Sequence, residues 1–223
     1  MIKALIFDFD YTLSNRSIAL YPMLKDIIKK YLPNLDEIEK EAVVQKLMFL
    51  DEFGTKSRKS SIEYLASTYQ LDIDELQEEF SDLSLRMAPL TVLDDEAIPL
   101  LEYLKKETDY KLAILTNGYY ESQKLKIDST GIAKYFDHII MSAETGYQKP
   151  DKRAFDYAID KLKLKPEECL YIGDVFFNDI LGAYRAGMKY VLVNNFRKWH
   201  YMDGIDVIDH LSMLKEVLKK YEE

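Results

Sequence analysis

The sequence predicts an α/β protein: a doubly wound parallel sheet with an inserted all-helical domain. Three observations predict it. From residue 93 onward, short apolar runs alternate with stretches of helical spacing, the pattern of parallel strands covered by helices on both faces. Of eight glycines only Gly54 lies before residue 118, so tight turns are concentrated in the second half. Residues 14–92, nearly free of glycine, carry helical periodicity instead.

Taken in order, residues 2–7 form an apolar run expected to be a strand buried on both faces. Next, Ile18, Tyr21, Leu24, Ile27, Ile28, Tyr31 and Leu32 recur at i, i+3, i+4 intervals and predict one face of a helix. Val43, Val44, Leu47 and Leu50 predict a second helix, Ile62, Leu65, Ala66 and Tyr69 a third, and Leu76, Phe80, Leu83 and Met87 a fourth. Asp72 and Asp74 stand where an N-cap is expected, Pro89 closes the insert, and Pro99 begins or interrupts the next helix. Residues 110–115, 137–141, 169–172 and 189–193 are further strands, with 205–208 a short edge strand. Between them lie a helix at about 151–162, one closed by Gly187, and a final amphipathic helix over 209–220. The domains so read are 1–13 with 93–223, and 14–92.

Composition narrows the function classes. The chain has 223 residues, 30 Lys+Arg against 39 Asp+Glu, and a net charge of −9. An excess of carboxylates argues against coating DNA or RNA, which are bound through Lys and Arg. It leaves room for a small anion, because a site needs only a few local donors or a metal. A single cysteine, Cys169, allows no internal disulfide, and its place in a buried strand reads as inert. The three histidines are scattered, the acidic start argues against a leader peptide, and no apolar run approaches a membrane span. A cytoplasmic protein without membrane or nucleic-acid partners is expected; the residues carry no signal of oligomeric state.

In a doubly wound sheet, ligands bind beyond the carboxyl ends of the strands. The polar residues just after each run are therefore the candidates. Asp8 and Asp10 follow the first strand, and carboxylates at i and i+2 of an extended segment point to the same side. One could attack while the other exchanges protons, or the pair could be an acidic turn. Thr116 and Asn117, before Gly118, could hold a phosphate oxygen or simply cap a helix. Lys149 before Pro150 reads, alone, as a solvated lysine ahead of a helix. Asp174 and Asp179 follow another buried strand and suit a hard cation such as Mg2+, or a helix cap.

Together DFDYTL (8–13), TNG (116–118), KP (149–150) and GDVFFND (173–179) resemble, in order, the four motifs of the haloacid dehalogenase-like hydrolase superfamily. The likeness covers the whole chain, and the insert lies where that family carries a C1-type helical cap. It implies a Rossmann-like core and a phosphoric monoester hydrolase. It makes Asp8 the nucleophile that forms an aspartyl-phosphate, and Asp10 the general acid and then base. It further implies phosphoryl contacts from Thr116, Asn117 and Lys149, and Mg2+ held by Asp8, the Asp10 carbonyl, Asp174 and Asp179. The family's dehalogenase branch lacks a carboxylate at the Asp10 position, since a halide leaves without a proton, so a phosphatase is expected. The second half looks most like nucleotide 5′-phosphatases and phosphoglycolate phosphatases, which makes a small phosphorylated metabolite the expected substrate. A phosphomutase or phosphotransferase of the same superfamily would keep the same residues, and a non-catalytic binding module would be expected to lose Asp8 or Asp174.

One departure is Tyr11, where the family often has glycine. The cluster Lys56, Arg58 and Lys59, and Arg16, could face a ligand or solvent; Tyr119 and Tyr120 could stack on a base but read first as core, and His200 beside Arg197 and Trp199 as surface.

Overall fold

Ala4–Phe7 (β1) is buried at every position, as four consecutive apolar residues of a central parallel strand must be. The computed structural model describes residues 1–223 apart from 56–57, 195–200, 202 and 222–223, with Phe53 described by its backbone only. After β1 come α1 (Arg16–Tyr31), α2 (Glu37–Leu50), α3 (Lys59–Tyr69), α4 (Ile73–Ser81), α5 (Leu83–Met87) and α6 (Ala97–Glu107). Then follow β2 (Lys111–Thr116), α7 (Tyr120–Thr130), β3 (His138–Met141), the one-turn α8 (Ser142–Thr145) and α9 (Lys152–Leu162). The chain continues through β4 (Cys169–Gly173), α10 (Leu181–Ala186), β5 (Lys189–Val193), β6 (Asp206–Ile208) and α11 (Leu214–Lys219). The described residues divide into two compact units, 1–14 with 93–223, and 15–92.

In the first unit the six strands run parallel in the order β3-β2-β1-β4-β5-β6. Strand order reverses at β1, so β2 and β4 flank it, and their carboxyl ends open the crevice where such sheets bind ligands. Alternation along the strands divides the core into two layers. Leu5, Phe7, Leu112, Ile114, Leu170 and Ile172 pack with Leu100, Leu101 and Leu104 of α6 and Leu214 and Leu218 of α11. Ala4, Ile6, Ala113, Leu115, Cys169 and Tyr171 pack instead with Phe155, Ala158 and Ile159 of α9 and Ala183 and Ala186 of α10. The Rossmann-like sheet is thus covered on both faces. Burial pushes the Cys169 thiol up to about 12, so it stays protonated and unreactive.

The second layer is tight where α10 meets α9. A Cβ on Gly182 would overlap Cε2 and Cζ of Phe155, whose ring is wedged edge-on against Tyr171. Gly182→Ala is therefore expected to destabilise the protein by about 1–3 kcal/mol through overpacking. Calorimetry should show the melting temperature falling by several degrees; an unchanged value would mean that Phe155 has room to move.

The second unit is all helical, with Leu20, Leu24, Ile28, Val44, Leu47, Leu65, Leu76, Phe80 and Leu83 at its centre. Asp36 caps α2 in a reciprocal capping box with Glu39, and Asp72 caps α4 by accepting from the N–H groups of Asp74 and Glu75. Asp74 thus lies in the first turn, not at the cap. The single fourth helix expected from 76 to 87 breaks at Asp82 into α4 and α5.

Other boundaries also shift. Ile18 is 49% exposed, because the buried stripe of α1 is Arg16, Ala19, Leu20, Leu24, Ile27 and Ile28. At 100° per residue Ile18 faces about 160° away from Leu20. The last helix begins only at Leu214, after a 3-10 turn at Leu211–Met213. Arg16 does not face solvent: it is buried and its guanidinium meets Asp51 at 2.9 Å. Arg58 pairs with the same carboxylate and Lys59 with Glu63, while Lys56, Arg197, Trp199 and His200 lie outside the described residues. Tyr119 and Tyr120, read as core, are exposed at the start of α7. No helix among the described residues is long and apolar enough to cross a membrane.

Candidate active site

Strand pairing brings the polar residues together. Asp8 continues the β1–β4 ladder by donating its N–H to the Ile172 carbonyl at 2.8 Å, which fixes its backbone at the sheet edge. Its side chain is buried; Oδ1 accepts from the Phe9 N–H at 2.7 Å and lies 2.8 Å from Lys149 Nζ. Asp174 follows Gly173, the last residue of β4, and accepts from the Thr12 hydroxyl at 3.3 Å. Asp179 is fully buried in a π-helical turn, Phe176–Ile180, that leads into α10. One of its oxygens accepts from the Val175 N–H at 2.8 Å, and the other lies 2.7 Å from Lys149 Nζ. The turn is possible because residue 173 is glycine: a Cβ there would sit 2.5 Å from the Asp179 carboxyl carbon.

Lys149 is the cation at the centre. Its Nζ reaches Asp8, Asp179 and the Tyr171 hydroxyl, the last at 2.9 Å, so each of its three protons has an acceptor. Burial alone would lower its pKa, but attraction to Asp179 and Asp8 outweighs that and raises it, so the ammonium stays charged. Burial pushes the Asp8 carboxyl up to about 6, against the pull of Lys149 and with the repulsion of Asp179.

Tyr171 was hidden from sequence reasoning, since within an apolar strand it looks like one more core residue. Its hydroxyl donates to the Leu115 carbonyl at 3.0 Å and accepts from Lys149, and burial raises its pKa well above the ordinary phenol value. Tyr171→Phe should leave Lys149 with two acceptors and the Leu115 carbonyl without that donor, at a cost of about 1–3 kcal/mol. Thermal unfolding would register that loss, and a melting temperature equal to that of the unmodified protein would contradict this role.

Carboxylate oxygens of Asp8, Asp174 and Asp179 lie within 4.8 Å of one another. Three carboxylates against one ammonium leave an uncompensated negative charge in a buried place, where it is costly. Hard oxygen donors with that excess fit a divalent cation of the Mg2+ type. Asp10 is not part of this cluster. Its carboxylate turns toward α7, where Lys126 Nζ lies 2.9 and 2.6 Å from its two oxygens and Gln123 Nε2 donates to it at 3.0 Å.

Thr116 ends β2 and is buried, with its hydroxyl 3.2 Å from Gln123 Nε2. Asn117 does not present its side chain outward. Its Oδ1 accepts from the Lys149 N–H at 2.9 Å and its Nδ2 donates to the Lys149 carbonyl at 3.0 Å, which braces the loop that carries Lys149 and the cis Lys149–Pro150 bond. Tyr11 takes φ 58, the left-handed region that favours glycine, so the chain accepts a strain of about 1–2 kcal/mol between Asp10 and Thr12.

Residues 5–193 match the haloacid dehalogenase-like hydrolase family. The chain is 38% identical over 120 residues to a glyceraldehyde 3-phosphate phosphatase of Methanothermobacter thermautotrophicus, covering 51% of this chain and 53% of that one. It is 35% identical over 130 residues to the pyrimidine 5′-nucleotidase YjjG of Escherichia coli, covering 56% of each. Each of these two matches spans little more than half the relative's own length. Among solved structures, YfnB of Bacillus subtilis, bound to magnesium, superposes with a TM-score of 0.74 at 25% identity, over 97% of this chain and 98% of that one. With a family match that takes in both β1 and β5, and so every strand that borders the cluster, this chain belongs to the haloacid dehalogenase-like hydrolases.

Proposed function

We propose that the protein is a Mg2+-dependent phosphohydrolase that removes phosphate from a small phosphorylated metabolite through an aspartyl-phosphate on Asp8. The observation that carries this reading is the buried carboxylate cluster Asp8, Asp174 and Asp179 with Lys149 inside it. Relatives named as phosphatases and a nucleotidase support it.

Asp8, Asp174 and Asp179, with the carbonyl of Asp10, would hold Mg2+, which would supply positive charge where a phosphate dianion meets the Asp8 carboxylate. Lys149 adds a fixed ammonium beside the same Asp8 oxygen, and the Thr116 hydroxyl and backbone N–H groups at the start of α7 orient the phosphoryl oxygens. In the first step Asp10 takes up a proton from solvent, an Asp8 oxygen bonds to phosphorus, the ester P–O bond breaks, and the Asp10 carboxyl gives that proton to the leaving alkoxide. In the second, Asp10 as carboxylate takes a proton from water as that water attacks phosphorus, which frees inorganic phosphate and restores Asp8. Asn117 contributes by bracing the Lys149 loop. Need for a proton donor weighs against halide substrates, since a halide leaves unprotonated.

The test is phosphate release from an aryl phosphate and from a panel of nucleotides, sugar phosphates and phosphoglycolate, with Mg2+ or with a chelator. Release in Mg2+ that stops on chelation is expected. Isomerised substrate in place of free phosphate would identify a mutase, and no turnover of any member would contradict the reading.

A further inference from the structure

The helix that follows β2 buries the wrong kind of residue. A helix packed on a sheet normally turns an apolar stripe inward. Of the four buried residues of α7, Ser122, Gln123 and Lys126 are polar and only Ile127 is apolar. Lys126 is 5% exposed, and an ammonium so buried needs a partner to offset the loss of water. The Asp10 carboxylate meets that need, with one oxygen at 2.9 Å from Nζ and the other at 2.6 Å.

Gln123, one turn earlier on the same face, bears on the same group. Its Nε2 donates to Asp10 at 3.0 Å and to the Asn117 carbonyl at 2.6 Å, and stands 3.2 Å from the Thr116 hydroxyl. Two obligate acceptors, a carboxylate and a carbonyl, fix which end of the amide is nitrogen. The other end, Oε1, is buried without a partner among the described residues, an arrangement that costs stability. Contact with the 116–118 loop is close: a Cβ on Gly118, at φ 134, would lie 2.9 Å from Gln123 Nε2. A side chain chosen only for packing would not leave a buried oxygen unsatisfied; one chosen to reach Asp10 and Thr116 together accepts that cost.

We infer that Lys126 and Gln123 are positioning residues: a polar clamp from α7 that sets the direction of the Asp10 carboxylate and ties it to Thr116. The clamp keeps Asp10 out of the Asp8–Asp174–Asp179 cluster and pointed where protons are exchanged. The inference rests on the proposed function, which gives Asp10 its proton-transfer role. A clamp of this kind acts on the chemical step and not on substrate binding. Misplacing a proton-transfer group by about 1 Å costs on the order of 100-fold in rate.

The experiment is steady-state kinetics in Mg2+ for Lys126→Met, Lys126→Arg and Gln123→Leu, on an aryl phosphate with a good leaving group and on an alkyl phosphate. For Lys126→Met, kcat on the alkyl phosphate should fall about 30- to 100-fold, with KM within about threefold of the unmodified enzyme. The aryl phosphate, whose leaving group needs less help from a proton, should lose less. Lys126→Arg should recover part of kcat, and Gln123→Leu should lose about tenfold. Equal losses on both substrates that match the unfolded fraction seen by circular dichroism, or unchanged kcat, would overturn the clamp. If the unmodified protein hydrolyses no phosphate ester, the proposed function fails by itself. The clamp is then decided by crystal structures: an Asp10 carboxylate displaced in Lys126→Met supports it, and one left in place overturns it.

Discussion

Asp8→Asn is expected to lower phosphate release by about 10,000-fold or more, because the amide offers no anionic oxygen to bond to phosphorus. Its consequence for stability is a lost pH dependence. In the metal-free protein the Asp8 carboxyl titrates near 6, against an ordinary value of 3.8, because burial outweighs Lys149. Between these two pH values the folded state holds a proton that the unfolded state has lost. Stability therefore falls as pH rises from about 4 to about 6, by roughly 3 kcal/mol for this group. The amide of the variant does not titrate, so Asp8→Asn should lack that slope. Denaturant unfolding of both proteins at several pH values in a chelator, beside the phosphate assay, checks both effects. A variant that retains even a tenth of the activity would remove Asp8 from the chemistry.

Lys149→Met should cost both stability and activity. Lys149 is the ammonium that contacts two buried carboxylates, Asp8 at 2.8 Å and Asp179 at 2.7 Å. Removing one member of a buried ion pair leaves the other uncompensated and typically costs about 3–5 kcal/mol. At roughly 2–4 °C per kcal/mol for a chain of this size, the melting temperature should fall by about 10 °C in chelator. Mg2+ should restore part of the loss, since a divalent cation binds the folded state and offsets the same charges. Turnover should fall about 100-fold or more, because positive charge beside the reacting oxygen is removed. Scanning calorimetry with and without Mg2+ reads the first effect. A fall of less than about 2 °C would contradict the buried pairing of Lys149 with Asp8 and Asp179.

The sheet was readable because its strands are short apolar runs that end abruptly in Asp, Thr or Gly. Burial on both faces forbids polar residues inside a strand, and catalysis places them at its end. Asp8, Thr116 and Asp174 follow that rule, and strand pairing brings them to one edge. Lys149 was harder, since a lysine before a proline looks solvated until the loop is folded under Tyr171 and Asn117. Tyr171 broke no local rule, and only the register of β1 with β2 and β4 brings Gln123, Lys126 and Tyr171 to Asp10 and Lys149. One signal for α7 was present: its helical spacing has no apolar stripe. Within the helical unit, Ile18 misled because hydrophobicity alone does not fix the phase of a helix when Arg16 and Ala19 share the buried face. Arg16 is buried because Asp51, 35 residues away, pairs with it.

Covalent attack by Asp8 on phosphorus leaves a phosphorylated enzyme that acid-quenched mass spectrometry can detect. With Asp10 changed to asparagine the second step loses its base, so the intermediate should accumulate during turnover of an aryl phosphate in Mg2+. One phosphoryl group is expected on the peptide that contains Asp8, absent when Asp8 is also replaced. Turnover without phosphate on that peptide, or phosphate carried by another residue, would contradict it.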